Sequence, residues 1–330
     1  SERRAVRNGL ANQSRTRRRF AARRTYGFRH LPGNVGVTTT SMASSVNTSV
    51  NHPYIPSTDS ERAEMLDVIG VDSLDGLLGD IPVEHRHPKL DIDAGLSEQE
   101  LSTVFGSIAA ENASSSSGYI SFLGAGSYSH YIPSTVRSIL QRGEFVTAYT
   151  PYQPEAAQGT LQVGFEFQTI ICQLTGMEVA NAGMYDGPTA FAEACLMAAR
   201  VTKRTKIGVL STADQRLPNT LMAYSKYQGI EIVEVSPDAT EIPDDLACIG
   251  VQSPNFFGEI EDIERLTNLA HANGALSVVH VNPTALGMFK APGEFDVDIV
   301  TAEGQPLGVP MAFGGPYVGL FACKKAHIRQ

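Results

Sequence analysis

From about Ser117 to its end the chain repeats one pattern, in which short apolar runs alternate with longer amphipathic stretches. The runs "EVAN", "KIGVLST", "IEIVEV", "LACIGVQ", "ALSVVHV", "DIVTA" and "VGLFAC" have the length and β-branched content of strands. Helical stretches lie around and between them at 159–175, 187–203, 215–228 and 259–273. Parallel strands need crossover connections, so this alternation predicts an α/β fold, a mostly parallel sheet with helices on both faces. Groups that do chemistry are then expected in the loops at the carboxyl ends of the strands.

Upstream of the alternating region the pattern changes. "STDSERAEMLDVIG" predicts a capped helix with Met65, Leu66 and Ile69 on one face, ended by Gly70, and "SLDGLLG" repeats it over a shorter span. "LSEQELSTVFGSIAAEN" predicts a third helix, with Ser97 as N-cap and Glu100 completing a capping box. These helices are too small for a core of their own and are expected to pack on the larger unit. The expected organisation is a basic extension over 1–41, an N-terminal arm with small helices over 42–116, and a large α/β domain over 117–330.

Charge separates the first of these segments from the rest. Residues 1–41 carry ten arginines against Glu2 alone, whereas residues 42–330 hold 16 basic and 34 acidic residues, a net of −18. The Arg-rich stretch is read as a disordered or non-native extension, with an organellar transit peptide or a nucleic-acid arm as alternatives. The acidic body excludes nucleic acid as the main partner, because such binding rests on Lys and Arg against phosphate. No apolar run approaches the ~20 residues of a membrane span. Cys172, Cys195, Cys248 and Cys323 form no CxxC pair, which favours a reduced cytoplasmic protein and gives no metal site.

Two local motifs bear on ligands. "GAGSYSH" at 124–130 has Ser129 where a dinucleotide fingerprint needs its third glycine, so it does not predict that site. In "MYDGPTAFAEACLMAAR", Asp186 is a natural N-cap, with Gly187 and Pro188 in the first turn. A helix start of this kind holds phosphate through free N–H groups, but Asp186 repels an anion, which favours a capped helix without a ligand.

"SFLGAGSYSHYIP", the long block from "EFVTAYTPYQPEAAQG" through "MYDGPTAFAEA", and "EGQPLGVPMAFGGPYVG" resemble the first (A) subunit of glycine dehydrogenase (decarboxylating), the P-protein of the glycine cleavage system. The similarity runs from about Thr58 to the end. The resemblance implies a pyridoxal-phosphate-dependent transferase fold of the aminotransferase type, with a smaller C-terminal domain that this chain lacks. It also implies a two-subunit enzyme that decarboxylates glycine and passes the aminomethyl group to the lipoyl arm of the H-protein.

Set against that family, both cofactor handles are missing. Reading back from "FGGP", the Schiff-base lysine position is Gln305, which forms no imine, and the place of the acidic partner to the pyridinium nitrogen falls on Asn282. The resemblance thus implies a cofactor-free subunit that completes a site whose pyridoxal phosphate sits on a catalytic second subunit. "YTPYQPEAAQG" suits that task, since it holds positioning groups and no lysine, cysteine or histidine. Tyr149, Tyr152, Gln153, Glu155 and Gln158, stiffened by Pro151 and Pro154, are the first candidate set. Ser127, Tyr128, His130 and Tyr131 are the second. The alternatives are a self-sufficient pyridoxal-phosphate enzyme using Lys290 or Lys206, and a non-catalytic doubly wound binding or scaffold module.

Overall fold

The computed structural model describes Tyr54 and residues 56–88, 95–114, 117–147 and 150–330. The expected basic extension and most of the lead-in to the first helix lie outside the described residues. The chain divides into two units, one up to Gly95 and one from Leu96.

In the first unit, α1 (Asp59–Ile69) starts at Thr58, whose side chain and Glu61 close a capping box, and ends at Gly70 in the left-handed conformation. The second expected helix is a 3-10 turn, Leu74–Leu78, capped by Ser73. Five residues between the Ser73 cap and Gly79, with Gly76 among them, are too few to propagate an α-helix, and the tighter turn is the usual outcome.

The second unit opens with α2 (Glu98–Ala110), whose capping box joins Ser97 and Glu100 as expected. None of its residues is buried, so its apolar row Leu101, Val104, Phe105 and Ile108 lies open within the unit. Two short helices follow, α3 (Ser134–Leu140) and α4 (Gly143–Val146), and then the long α5 (Pro154–Thr175). α5 begins five residues before the predicted start, because Pro154 occupies its first turn with φ already set for helix. Glu155 and Gln158 are therefore helical residues and not part of a loop. Ala157, buried and non-helical at φ −124°, breaks the helix one turn in.

All seven apolar runs form strands of one sheet. They are β1 (Val179–Ala180), β2 (Lys206–Leu210), β3 (Glu231–Val235), β4 (Leu246–Ser253), β5 (Leu276–Val281), β6 (Ile299–Glu303) and β7 (Gly319–Cys323). Their order is β1-β7-β6-β5-β4-β2-β3, and only β7 runs against its neighbours. The helices α6 (Gly187–Thr202), α7 (Arg216–Ser225) and α8 (Ile263–Ala272) complete the alternation.

Both faces of the sheet are covered, which explains why β4 and β5 read as nearly continuous apolar runs. On one face Phe191 and Leu196 of α6 and Leu217 and Leu221 of α7 pack on Ile207, Val209, Val278 and Ile299. On the other, Ile171 of α5 and Leu266 and Ala270 of α8 pack on Ile249, Val279, Val281 and Leu320. Gly250 of β4 is required by this packing, since a Cβ there would lie 2.5 Å from the Phe191 ring. Among the described residues no helix is long and apolar enough to cross a membrane, and no group of three or more His, Cys, Asp or Glu is placed to hold a metal ion. All four cysteines are free thiols.

Candidate functional site

The strand order reverses between β4 and β2, and a cleft of about 530 Å³ opens there at the carboxyl ends of the parallel strands. Asp214 and Arg216 reach it from the end of β2, Gln252 and Asn255 from β4, His280 and Asn282 from β5, and Glu303 from β6. The first turn of α6 forms one wall, and Phe256, Phe257, Tyr128 and Tyr317 supply aromatic edges. Its volume is that of a small-molecule site.

Its polar groups are tied to one another. Asp214, 7% exposed, receives Arg216 Nε at 3.1 Å on both carboxylate oxygens and a further bond from Arg216 Nη2. Burial pushes the Asp214 carboxyl up, and the Arg216 hydrogen bonds outweigh it, so the pKa lies below its ordinary value. The Asp214 backbone N–H donates to Gln252 Oε1 at 2.7 Å. His280 meets Thr301 Oγ1 through Nδ1 at 2.9 Å and stands edge-on to Phe191, with ring centroids 6.0 Å apart. Burial pulls the His280 pKa down to about 4, so the ring is neutral at physiological pH. Glu303 accepts from Gly187 N at 2.8 Å, Gln305 N at 2.9 Å and Val318 N at 3.3 Å. Burial still holds its carboxyl above the usual range.

The residues picked out in the sequence fall into two groups. Tyr128 and Asn282 line the cleft. Asn282 lies one residue past β5 and accepts from Thr284 N and Oγ1 at 3.1 and 2.7 Å, which turns it into a local turn former. Gln305, 1% exposed, lies beneath Tyr128 and clamps it. It accepts from Tyr128 N at 2.8 Å and donates to Tyr128 O at 2.9 Å and Val309 O at 2.8 Å. Ser127 Oγ pairs with Tyr317 OH at 2.7 Å. His130 and Tyr131 face outward. Tyr152, Gln153, Glu155 and Gln158 are exposed at the start of α5 and do not line the cleft, and Tyr149 lies outside the described residues. Sequence reasoning missed Asp214, Arg216, His280 and Glu303. His280 and Glu303 sit at the carboxyl ends of β5 and β6, and Asp214 and Arg216 in the connection from β2 into α7, and that position was the available signal.

The residues do not fit an imine-bound pyridoxal phosphate. Among the described residues no lysine lines the cleft. Lys206 lies at the opposite end of β2, 2.8 Å from Asp245, and Lys290 stands in an adjoining groove, 5.8 Å from the Phe295 ring centre. The two carboxylates at the α6 start would also face a phosphate.

A seven-stranded sheet of order 1-7-6-5-4-2-3, antiparallel only at β7, with a cleft at its switch point, defines the large domain of the aminotransferase-type pyridoxal-phosphate-dependent transferase fold. A solved sphingosine-1-phosphate lyase of Burkholderia pseudomallei shares that fold at 13% identity, with a TM-score of 0.51 over 76% of this chain and 64% of that one. Residues 52–330 match the model of the glycine cleavage system P-protein, and the chain belongs to that family. It is 47% identical over 287 residues to the probable glycine dehydrogenase (decarboxylating) subunit 1 of Desulfitobacterium hafniense, covering 84% of this chain and 64% of the relative. The same-named protein of Desulforamulus reducens is 49% identical with the same coverage. A crystal structure of glycine decarboxylase (P-protein) in inhibitor-bound form superposes with a TM-score of 0.74 at 40% identity, over 84% of this chain and 64% of that one. The chain thus spans 64% of the length of these relatives.

Proposed function

We propose that this chain is the cofactor-free subunit of a two-subunit glycine decarboxylase. It completes the site in which a catalytic second subunit, holding pyridoxal phosphate, decarboxylates glycine and transfers the aminomethyl group to the lipoyl group of the H-protein. The reading rests on family membership together with one observation: the residue at the lysine position, Gln305, is a buried amide whose acceptor and both donors are spent on Tyr128 and Val309. A side chain engaged in this way holds a loop and is not a reacting group. The exposed groups Tyr152, Gln153, Glu155 and Gln158, with His130 and Tyr131, are free to face another chain, and in this reading they orient substrate on the partner. The working division is an extension over 1–41, an arm over 42–116 and the large domain over 117–330, and the working location is the cytoplasm.

Co-expression with the catalytic subunit, followed by a glycine–bicarbonate exchange assay, tests the reading. Exchange by the pair well above that of either chain alone is expected. Full exchange by the second subunit without this chain would overturn it.

A further inference from the structure

The α6 start has the makings of an anion site. It heads a 16-residue helix, opens on the cleft, and begins Gly187-Pro188. The first N–H groups of a helix lack intrahelical partners and carry the positive end of its dipole. Here each donor of the first turn is already accounted for. Gly187 N donates to Glu303 Oε2 at 2.8 Å, Pro188 has no N–H, and Thr189 N donates to Asp186 Oδ1 at 2.8 Å. Ala190 N is the first to close an intrahelical bond, to Asp186 O at 3.0 Å.

Glu303 is built into this position. It is the last residue of β6 and 6% exposed, and its other oxygen is held by Gln305 N and Val318 N. Its approach to the helix depends on Gly187, because a Cβ there would lie 2.9 Å from Glu303 Cβ. The nearby cation, Arg216, spends its hydrogen bonds on Asp214 and acts on Glu303 only through space.

We propose that Glu303 is a resident anion at the α6 N-terminus, which bars phosphate-bearing ligands, pyridoxal phosphate included, from this subunit's cleft. The assignment rests on the cofactor-free reading and names the residue that enforces it. Loss of the lysine removes covalent capture, while Glu303 removes the phosphate hold that would remain without a lysine.

The test is isothermal calorimetry of the whole chain and its Glu303→Ala variant with inorganic phosphate, pyridoxal phosphate and pyridoxal, at matched ionic strength. The variant is expected to bind both phosphate ligands about tenfold or more tightly than the parent, one decade or more in dissociation constant, with pyridoxal unchanged. If the variant is unfolded in plain buffer, phosphate should restore a cooperative melting transition that chloride does not. Equal phosphate affinities, an equal gain for pyridoxal, or failure to fold in saturating phosphate would overturn the role of Glu303. Each of these leaves the cofactor-free reading standing. A borohydride-stable pyridoxyl adduct on the parent chain would defeat that reading instead.

Discussion

His280 ties stability to pH. Its pKa falls from 6.5 to about 4 in the folded chain because burial disfavours the imidazolium; Asp214 opposes that shift and Arg216 adds to it. Between these two values the unfolded chain binds a proton that the folded chain does not, so stability rises with pH across the window. The contribution is complete above pH 6.5 and is lost as pH falls toward 4, on the order of 3 kcal/mol in all at 1.36 kcal/mol per unit. Urea unfolding at several pH values should therefore show a steeper loss below pH 6.5 in the parent than in His280→Gln. Parallel curves would remove His280 from the account. A second pair of residues is tested by activity. Tyr152→Phe removes one hydroxyl and Gln153→Ala one amide, both on exposed groups outside helix and strand. If they orient glycine on the partner, each should lower exchange by the reconstituted pair roughly ten- to a thousandfold, the range for a preorganised polar contact. Assembly in a pull-down should be unaffected. Turnover near that of the parent in both variants would make this segment structural.

At the scale of elements, the loop at 124–128 is held to the turn after β6 by the Gln305 amide. Gln305→Met keeps the volume and leaves Tyr128 N, Tyr128 O and Val309 O without that partner. At about 0.5–1.5 kcal/mol per bond, the expected cost is on the order of 2–4 kcal/mol, read as a lower urea midpoint with an unchanged slope. A change below about 0.5 kcal/mol, the ordinary scatter of a surface substitution, would mean that the clamp contributes little. The elements themselves were largely legible, because burial on both faces leaves an unmistakable apolar run in β4 and β5, and the caps at Thr58, Ser97 and Asp186 are written in local chemistry. The start of α5 was misread because Tyr and Pro suggest a loop, whereas Pro154 in a first helical turn promotes helix. The cleft was harder to read. Glu303 and Gly187 are 116 residues apart, and only the sheet order brings Gly187 N within 2.8 Å of the Glu303 carboxylate. His280 was hidden inside a run that reads as core, and its meaning depends on the Phe191 ring and the opening beside it.

At the scale of the whole molecule, the acidic body and the carboxylates at the α6 start point the same way. Neither favours a phosphate ester in this chain's cleft, in keeping with the proposal that a second subunit holds the pyridoxal phosphate. This chain spans 64% of the length of its relatives, and the proposed pairing is judged in a complex with the proposed catalytic subunit. The most direct measurement is borohydride reduction of the co-purified pair in the presence of pyridoxal phosphate, followed by the intact mass of each chain. The account predicts one pyridoxyl group on the catalytic subunit and none on this chain, and a stoichiometric adduct on any lysine of this chain would contradict it.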